Sequence, residues 1–238
     1  MDKAAAESLA KKIQISKDYI VREEYEMLIL KEIYESEFAT SLMFKGGTAL
    51  RLAYGSARFS EDLDFNLINE IDKMKFIGFI KGLGKKYPGM VEITANEKHY
   101  TVFALIKIKV EYLDRAFSIK IEISKRAVPP AGLSVDKTDK AGGYVKDRDY
   151  SDKIIKSEAA PLTVLVRVAT LEVILREKED ALKNRKVARD VFDYWFINQL
   201  LKKEVKVDFS GFDNKQVFSE LHKLLARPYW RLIDSWLE

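Results

Sequence analysis

The chain has 238 residues, with 41 basic against 37 acidic side chains and a formal net charge of +4. Hydrophobic residues make up 47% and aromatic residues 11%, which supplies a buried core and excludes general disorder. Cysteine is absent and histidine occurs only at His99 and His222, so disulfides, thiolate metal sites and a multi-histidine zinc site are excluded. No uncharged apolar run approaches the roughly 20 residues of a membrane helix. Met1-Asp-Lys-Ala-Ala-Ala opens a charged amphipathic stretch, not a signal-peptide apolar region. A cytoplasmic protein without a membrane partner is the expectation.

In chain order, Ile20, Tyr25, Leu28, Leu30, Ile33 and Tyr34 recur at helical spacing and predict helices across about 5–37. Phe44-Lys45-Gly46-Gly47-Thr48-Ala49-Leu50 reads as a chain reversal entering a helix. Glycine reaches backbone conformations barred to other residues, and Thr48 is placed to cap. Tyr54-Gly55-Ser56 ends that helix. Leu63 and Phe65 alternate with Asp62 and Asp64, as in a short strand with one polar face. A helix over about 69–86 closes at Tyr87-Pro88-Gly89. Strand-like runs follow at 90–95, 100–111 and 116–124, β-branched or aromatic and alternating in polarity. Residues 130–159 are polar with little periodicity and predict a long loop with one short strand near Tyr144. Helices are expected again over about 162–183, 187–203 and 213–237, the last broken near Pro228.

The fold class is therefore α+β: a mixed sheet core with flanking helices and a helical C-terminal region. The expected division is 1–159 and 160–238. Charge is uneven along the chain. Residues 71–128 carry 12 basic against 6 acidic side chains. Such a segment suits a polyanion or is simply a solvated lysine-rich surface.

Two constellations carry chemistry. Alternate residues of a strand share a face, so Asp62 and Asp64 put two carboxylates together. Their mutual repulsion is relieved by a bound cation, and hard oxygen ligands suit Mg²⁺ or Mn²⁺ with substrate phosphates. Alone, Asp-x-Asp more often marks a surface loop. Here Gly46-Gly47-Thr48 opens a helix fourteen residues upstream of Asp62, where backbone N–H groups can cradle a triphosphate. Thr48 adds a hydroxyl and Arg51 lies one turn along. Glu122 is a carboxylate on a strand otherwise built for burial, placed to be a third metal ligand or to pair with Lys120 or Lys125.

In the second constellation, helical spacing puts Leu171, Ile174, Leu175, Lys178 and Leu182 together. Lys178 then stands at the edge of an apolar stripe, as a snorkelling side chain or as a functional one. Asp190 is placed to cap the apolar helix that follows, with Asp193 one turn later. Trp195, Trp230 and Trp236 fall on apolar helix faces and read as core.

Lys45-Gly-Gly-Thr-Ala-Leu50, Tyr54-Gly55 and Arg58-Phe-Ser-Glu-Asp-Leu-Asp-Phe65 together resemble the AbiEii/AbiGii nucleotidyltransferase toxins of the polymerase-β-like superfamily. Glu177-Lys178-Glu-Asp-Ala181-Leu182 followed by Arg189-Asp190-Val-Phe-Asp193 is similar to the same family's second signature. The resemblance covers most of 40–200. It implies a nucleotidyltransferase-like fold, two metal-binding aspartates at Asp62 and Asp64, and a phosphate turn at Gly46, Gly47 and Thr48 with Ser60 near the phosphates. It further implies active-site roles for Lys178 and Asp190, an NTP substrate, a tRNA 3′ end as acceptor and a cognate antitoxin. Lys45, Arg58, Arg185 and Arg189 read equally as phosphate contacts or as ion pairs. The alternatives are a catalytically silent nucleotide- or RNA-binding module and nucleotidyl transfer to a small molecule.

Overall fold

The computed structural model describes residues 1–125 and 147–237. Two N-terminal helices, α1 (Lys3–Ile13) and α2 (Lys17–Tyr34), each begin at a capping side chain, Asp2 accepting from the Ala5 N–H and Ser16 from the Asp18 N–H. Then come β1 (Leu42–Lys45), α3 (Gly46–Tyr54), β2 (Asp62–Leu67) and α4 (Lys73–Lys86), the last capped by Asp72. Strands β3 (Met90–Glu97), β4 (Thr101–Ile108) and β5 (Phe117–Ser124) match the three strand-like runs. After the undescribed segment come β6 (Tyr150–Ser157), β7 (Ala160–Ala169), α5 (Leu171–Asn184), α6 (Ala188–Leu200), α7 (Asn214–Leu224) and α8 (Trp230–Leu237).

The seven strands form one mixed sheet in the order β3-β4-β5-β2-β1-β7-β6. The pairs β2–β5 and β1–β7 are parallel and the rest antiparallel. One face is the main core, where Phe44, Phe65, Val102, Ile106, Ile121 and Val166 are among the residues packed beneath α2 and α4. Burying each such side chain stabilises the fold by about 1.5–3 kcal/mol. The Tyr34 hydroxyl donates to the Leu42 and Arg167 carbonyls and so ties α2 to β1 and β7. On the opposite face Met43 and Ala169 pack with Val173, Ile174 and Ile197 of α5 and α6. These helices cover the β1–β7 end of that face. A separate apolar cluster joins α6, α7 and α8, with Trp195, Trp230 and Trp236 packed against it, as expected.

Three expectations need correction. Leu42–Lys45 is a strand rather than the start of a reversal, and its run of fully buried Leu42, Met43 and Phe44 suits a central strand covered on both faces. Residues 150–157, expected within a loop, form β6; it is the polar edge strand, so its apolar signal is weak. Residues 162–169, expected as the start of a helix, belong to β7 (Ala160–Ala169). Val164, Val166 and Val168 alternate inward with Leu165 and Arg167 outward, and the β-branched residues favour the strand. The short strand expected near Tyr144 lies outside the described residues. A division at 159/160 falls in the turn between β6 and β7, whereas one placed before α5 leaves the sheet whole.

Candidate active site

The sheet lines up the first constellation. Asp64 on β2 stands opposite Lys45 on β1 and Glu122 on β5, and Asp62 stands opposite Lys120. Directly paired residues project to the same face, so both aspartates and Glu122 share the face that α5 and α6 partly cover. The Lys120 ammonium lies 3.4 Å from Asp62 Oδ2 and 3.4 Å from Glu122 Oε2. It is a single cation serving two carboxylates. Burial pushes the Asp64 carboxyl up to about 6; Lys45, Lys120 and Lys178 oppose the rise and Asp62 adds to it. Burial beside Asp62 thus disfavours the charged form of Asp64 despite the three lysines.

Against it stands the glycine turn. Gly46 has φ of +78°, and a Cβ there would lie 2.5 Å from Asp64 Oδ2. A Cβ on Gly47 would collide with Arg58 Nη2 and sit 2.7 Å from Ser60 Oγ. Both glycines are therefore required by close packing, Gly46 also by its left-handed backbone. The turn opens α3 with no side-chain cap at Lys45, so its first N–H groups lack a capping partner and carry the positive end of the helix dipole. Thr48 is fully buried, and its hydroxyl donates to the Asp62 carbonyl at 2.5 Å, fastening the turn to the acidic strand. Arg51 is engaged elsewhere. Its Nε meets Glu23 at 2.8 Å, Nη1 donates to the Ser56 carbonyl, and the guanidinium lies over the Phe59 ring. The structure gives the backbone of the turn, not Arg51, the contact with the acids.

The second constellation is a buried charge network. Arg58 makes two 2.8 Å hydrogen bonds to Asp193, from Nε and Nη2. The Lys178 ammonium lies 2.7 Å from Asp193 Oδ2 and 2.8 Å from Asp190 Oδ1. Arg185 donates to Asp190 from Nε and Nη2, at 2.8 and 3.2 Å. Both aspartates are 0% exposed. Burial alone would raise them, but Arg58 and Lys178 hold Asp193 below the usual carboxylate range, and Lys178 and Arg185 hold Asp190 there. Lys178 is raised: burial opposes its charge, and Asp193 and Asp190 overcome that opposition. It does not snorkel. Asp190 is not the helix cap either, since Val187 holds that position and the Asp190 carboxylate faces Lys178 and Arg185. Arg189 faces Glu220 at 3.9 Å, and Lys45 pairs with Glu177 at 2.7 Å.

The two constellations, distant in sequence, meet in the fold. Lys178 opposes the rise at Asp64, and Asp64 in turn supports the Arg185 charge. Arg58 forms the wall of the glycine turn and also holds Asp193. The residues that spacing alone did not single out are Asp193 as the hub of the network and Glu177, which also accepts from Asn66 Nδ2 at 3.1 Å. The signal of Asp193 and Glu177 was weak because their partners come from other elements, whereas Lys120 pairs with Glu122 on its own strand, as one reading of that strand expected.

Among the described residues no three carboxylates or imidazoles converge into a ready-made metal cage. The donor set nonetheless fits a hard divalent cation held by one or two carboxylates, with the remaining ligands coming from phosphate and water. A cation beside Asp64 would favour the charged carboxylate that burial disfavours. No helix among the described residues is long and apolar enough to cross a membrane. The lysine-rich segment is less basic at its surface than its composition suggests, because Lys73, Lys75, Lys86, Lys107 and Lys125 each pair with a carboxylate.

Residues 28–226 match the family model described as nucleotidyl transferase AbiEii toxin, type IV TA system. The chain belongs to this family. Its fold is similar to that of JHP933 from Helicobacter pylori, with a TM-score of 0.56 and 21% identity over 94% of each chain. It is also similar to a Helicobacter pylori protein assigned as a nucleotidyltransferase, with a TM-score of 0.58 and 20% identity over 94% of this chain and 92% of that one. No curated protein matches the chain.

Proposed function

We propose that this AbiEii-family nucleotidyltransferase toxin moves a nucleotide from an NTP to the 3′-terminal hydroxyl of a tRNA, with Mg²⁺ or Mn²⁺ held at Asp62 and Asp64. The observation that carries this reading is geometric: Asp64, in register with Glu122 and two residues from Asp62 on the same face, packs against a glycine turn that opens a helix without a side-chain cap. A triphosphate brought to that turn adds negative charge beside Asp64, so acids and phosphates together call for a cation.

In this mechanism the N–H groups of Gly46, Gly47 and Thr48 bind the triphosphate, and the Ser60 hydroxyl beside Gly47 adds a donor. The Thr48 side chain keeps the turn in register with Asp62, and Arg51 braces α3 through Glu23. The divalent cation, when bound, neutralises charge on the phosphoryl group and the leaving oxygen. Glu122, in register with Asp64, is the third carboxylate of the site and accepts the proton of the attacking hydroxyl. The acceptor oxygen forms a bond to the α-phosphorus, the bond from the α-phosphorus to the bridging oxygen breaks, and pyrophosphate leaves. Lys178, kept charged by Asp190 and Asp193, stabilises the negative charge building on that leaving group. A cognate antitoxin and a cytoplasmic setting complete the reading.

The test is incubation of wild type and Asp64→Ala with total RNA, Mg²⁺ or Mn²⁺ and each of four labelled NTPs. Wild type is expected to label a tRNA-sized band and the variant to label none. Equal labelling by both proteins would sink the catalytic assignment. NTP binding by wild type without labelling of any acceptor would favour the silent binding module.

A further inference from the structure

The row of residues that includes Asp64 does not end at Glu122. Pairing continues from Glu122 on β5 to Phe103 on β4, and from Phe103 to Asn96 on β3. Lys45, Asp64, Glu122 and Phe103 therefore stand side by side on one face of the sheet. In the neighbouring row Asp62, Lys120 and Leu105 follow one another in the same way. The glycine turn leaves β1, on one side of the carboxylates; β4 lies on the other side. The acids are thus flanked by two surfaces of different chemistry, backbone N–H groups toward β1 and apolar side chains toward β4.

The β4 surface is not explained by the core. Val102, Ala104, Ile106 and Ile108 face inward and are buried, so the strand is anchored by its other face. Outward positions of such a strand are ordinarily polar. Here they include the half-buried Phe103 and Leu105, which is 38% exposed. The Lys98 ammonium lies 4.1 Å from the centroid of the Phe103 ring. Among the described residues no carboxylate lies within ion-pair distance of Lys98, unlike the five paired lysines of the same region. An aromatic ring with a cation over it is the combination that holds one nucleotide of a single strand, the ring by stacking and the cation by its phosphate.

We infer that Phe103, with Leu105 beside it and Lys98 over it, seats the 3′-terminal nucleotide of the RNA acceptor. This rests on the nucleotidyl-transfer reading above. In an in-line displacement the entering hydroxyl and the departing pyrophosphate lie on opposite sides of the α-phosphorus. With the triphosphate on the turn, the entering side is the one toward Glu122 and Phe103. The terminal base stacks on the Phe103 ring, the ribose hydroxyl points at the Glu122–Asp64 row, and Lys98 moves from the ring to the preceding phosphate.

The experiment uses a short single-stranded RNA with a fluorescent 2-aminopurine as its 3′ nucleotide, whose emission is quenched on stacking. Wild type is expected to quench it. Phe103→Ala and Phe103→Leu are expected to bind it about tenfold or more weakly, with the affinity for a fluorescent NTP changed less than twofold. Leucine keeps apolar bulk but lacks a π face, so wild-type affinity in Phe103→Leu would overturn the inference. Loss of NTP affinity in Phe103→Ala with RNA affinity intact would also overturn it, and would assign the ring to the incoming base. If wild type transfers nucleotide to no RNA while quenching still depends on Phe103, the stacking surface stands and the transfer reading falls.

Discussion

Asp64 and Asp193 are aspartates of the same site withdrawn from bulk water, yet their acidities move in opposite directions. Burial raises both. Asp193 is matched by a bidentate Arg58 and by Lys178, and ends below the ordinary range. Asp64 has Asp62 two residues away on the same face and lysines whose nearer contacts are elsewhere, and ends at about 6. Asp190 and Asp193 each have two cations within ion-pair distance, whereas Lys120 on the strands reaches Asp62 and Glu122. Aspartates of one candidate site thus differ in acidity because the cations within reach of each differ.

The comparison breaks most readily through single substitutions. Asp64→Ala is expected to lower kcat by about a thousandfold or more, while thermal unfolding of the metal-free protein shows no loss of stability. A large drop in Tm for this variant would contradict the assignment of Asp64 to chemistry. Asp193→Ala should do the reverse in the unfolding experiment. It leaves Arg58 and Lys178 buried without their carboxylate, and a destabilisation of about 3–5 kcal/mol is expected from denaturant titration. Asp193→Asn, which retains hydrogen-bonding capacity, should recover part of that loss.

Smaller effects sharpen the contrast. Gly47→Ala forces a carbon into Arg58 and Ser60, for a cost of about 1–3 kcal/mol and a raised KM for the NTP. An unchanged KM would remove the turn from the phosphate site. Arg51→Lys should lower Tm by loosening Glu23 and Phe59, and leave the KM for the NTP within about twofold; a larger kinetic effect would return Arg51 to the phosphates.

The pH dependence of the metal-free protein carries opposite signs from the two groups. A carboxyl raised to about 6 holds its proton more tightly when folded, so its contribution is full below the ordinary aspartate range and is lost as pH rises toward 6. The lowered Asp190 and Asp193 contribute above that range and lose their contribution as pH falls through it. Asp64→Asn should therefore flatten the decline in stability between about pH 4 and 6, and leave the acid limb in place. Unfolding curves of both proteins across that window provide the check.

Much of the site could be read along the chain because its parts are local. Gly46, Gly47, Asp62 and Asp64 lie within one turn–helix–strand unit, and alternation alone puts the two acids on one face. Glu122 was legible as a polar residue in an apolar alternation. Arg51 was misplaced because its partner Glu23 belongs to another helix and sequence spacing shows only that the arginine is one turn along. Asp190 suggested a cap because caps are local, whereas its partner Lys178 sits across an interhelical contact. The strand β7 was hidden because a run rich in valine and leucine fits a strand or a buried helix equally until its neighbour is known.

By itself the sequence restricted the side chains able to hold a cation to carboxylates, since it offers neither thiols nor a set of imidazoles, and it determined the order of turn, helix and acidic strand, since those follow from glycine freedom and strand alternation. The tertiary structure alone decided which charges are satisfied. Arg58 and Asp193 are 135 residues apart, and only the packing of α6 against the segment before β2 makes them partners. Acidity depends on burial and on the cations within a few ångströms, and both are properties of the assembled fold.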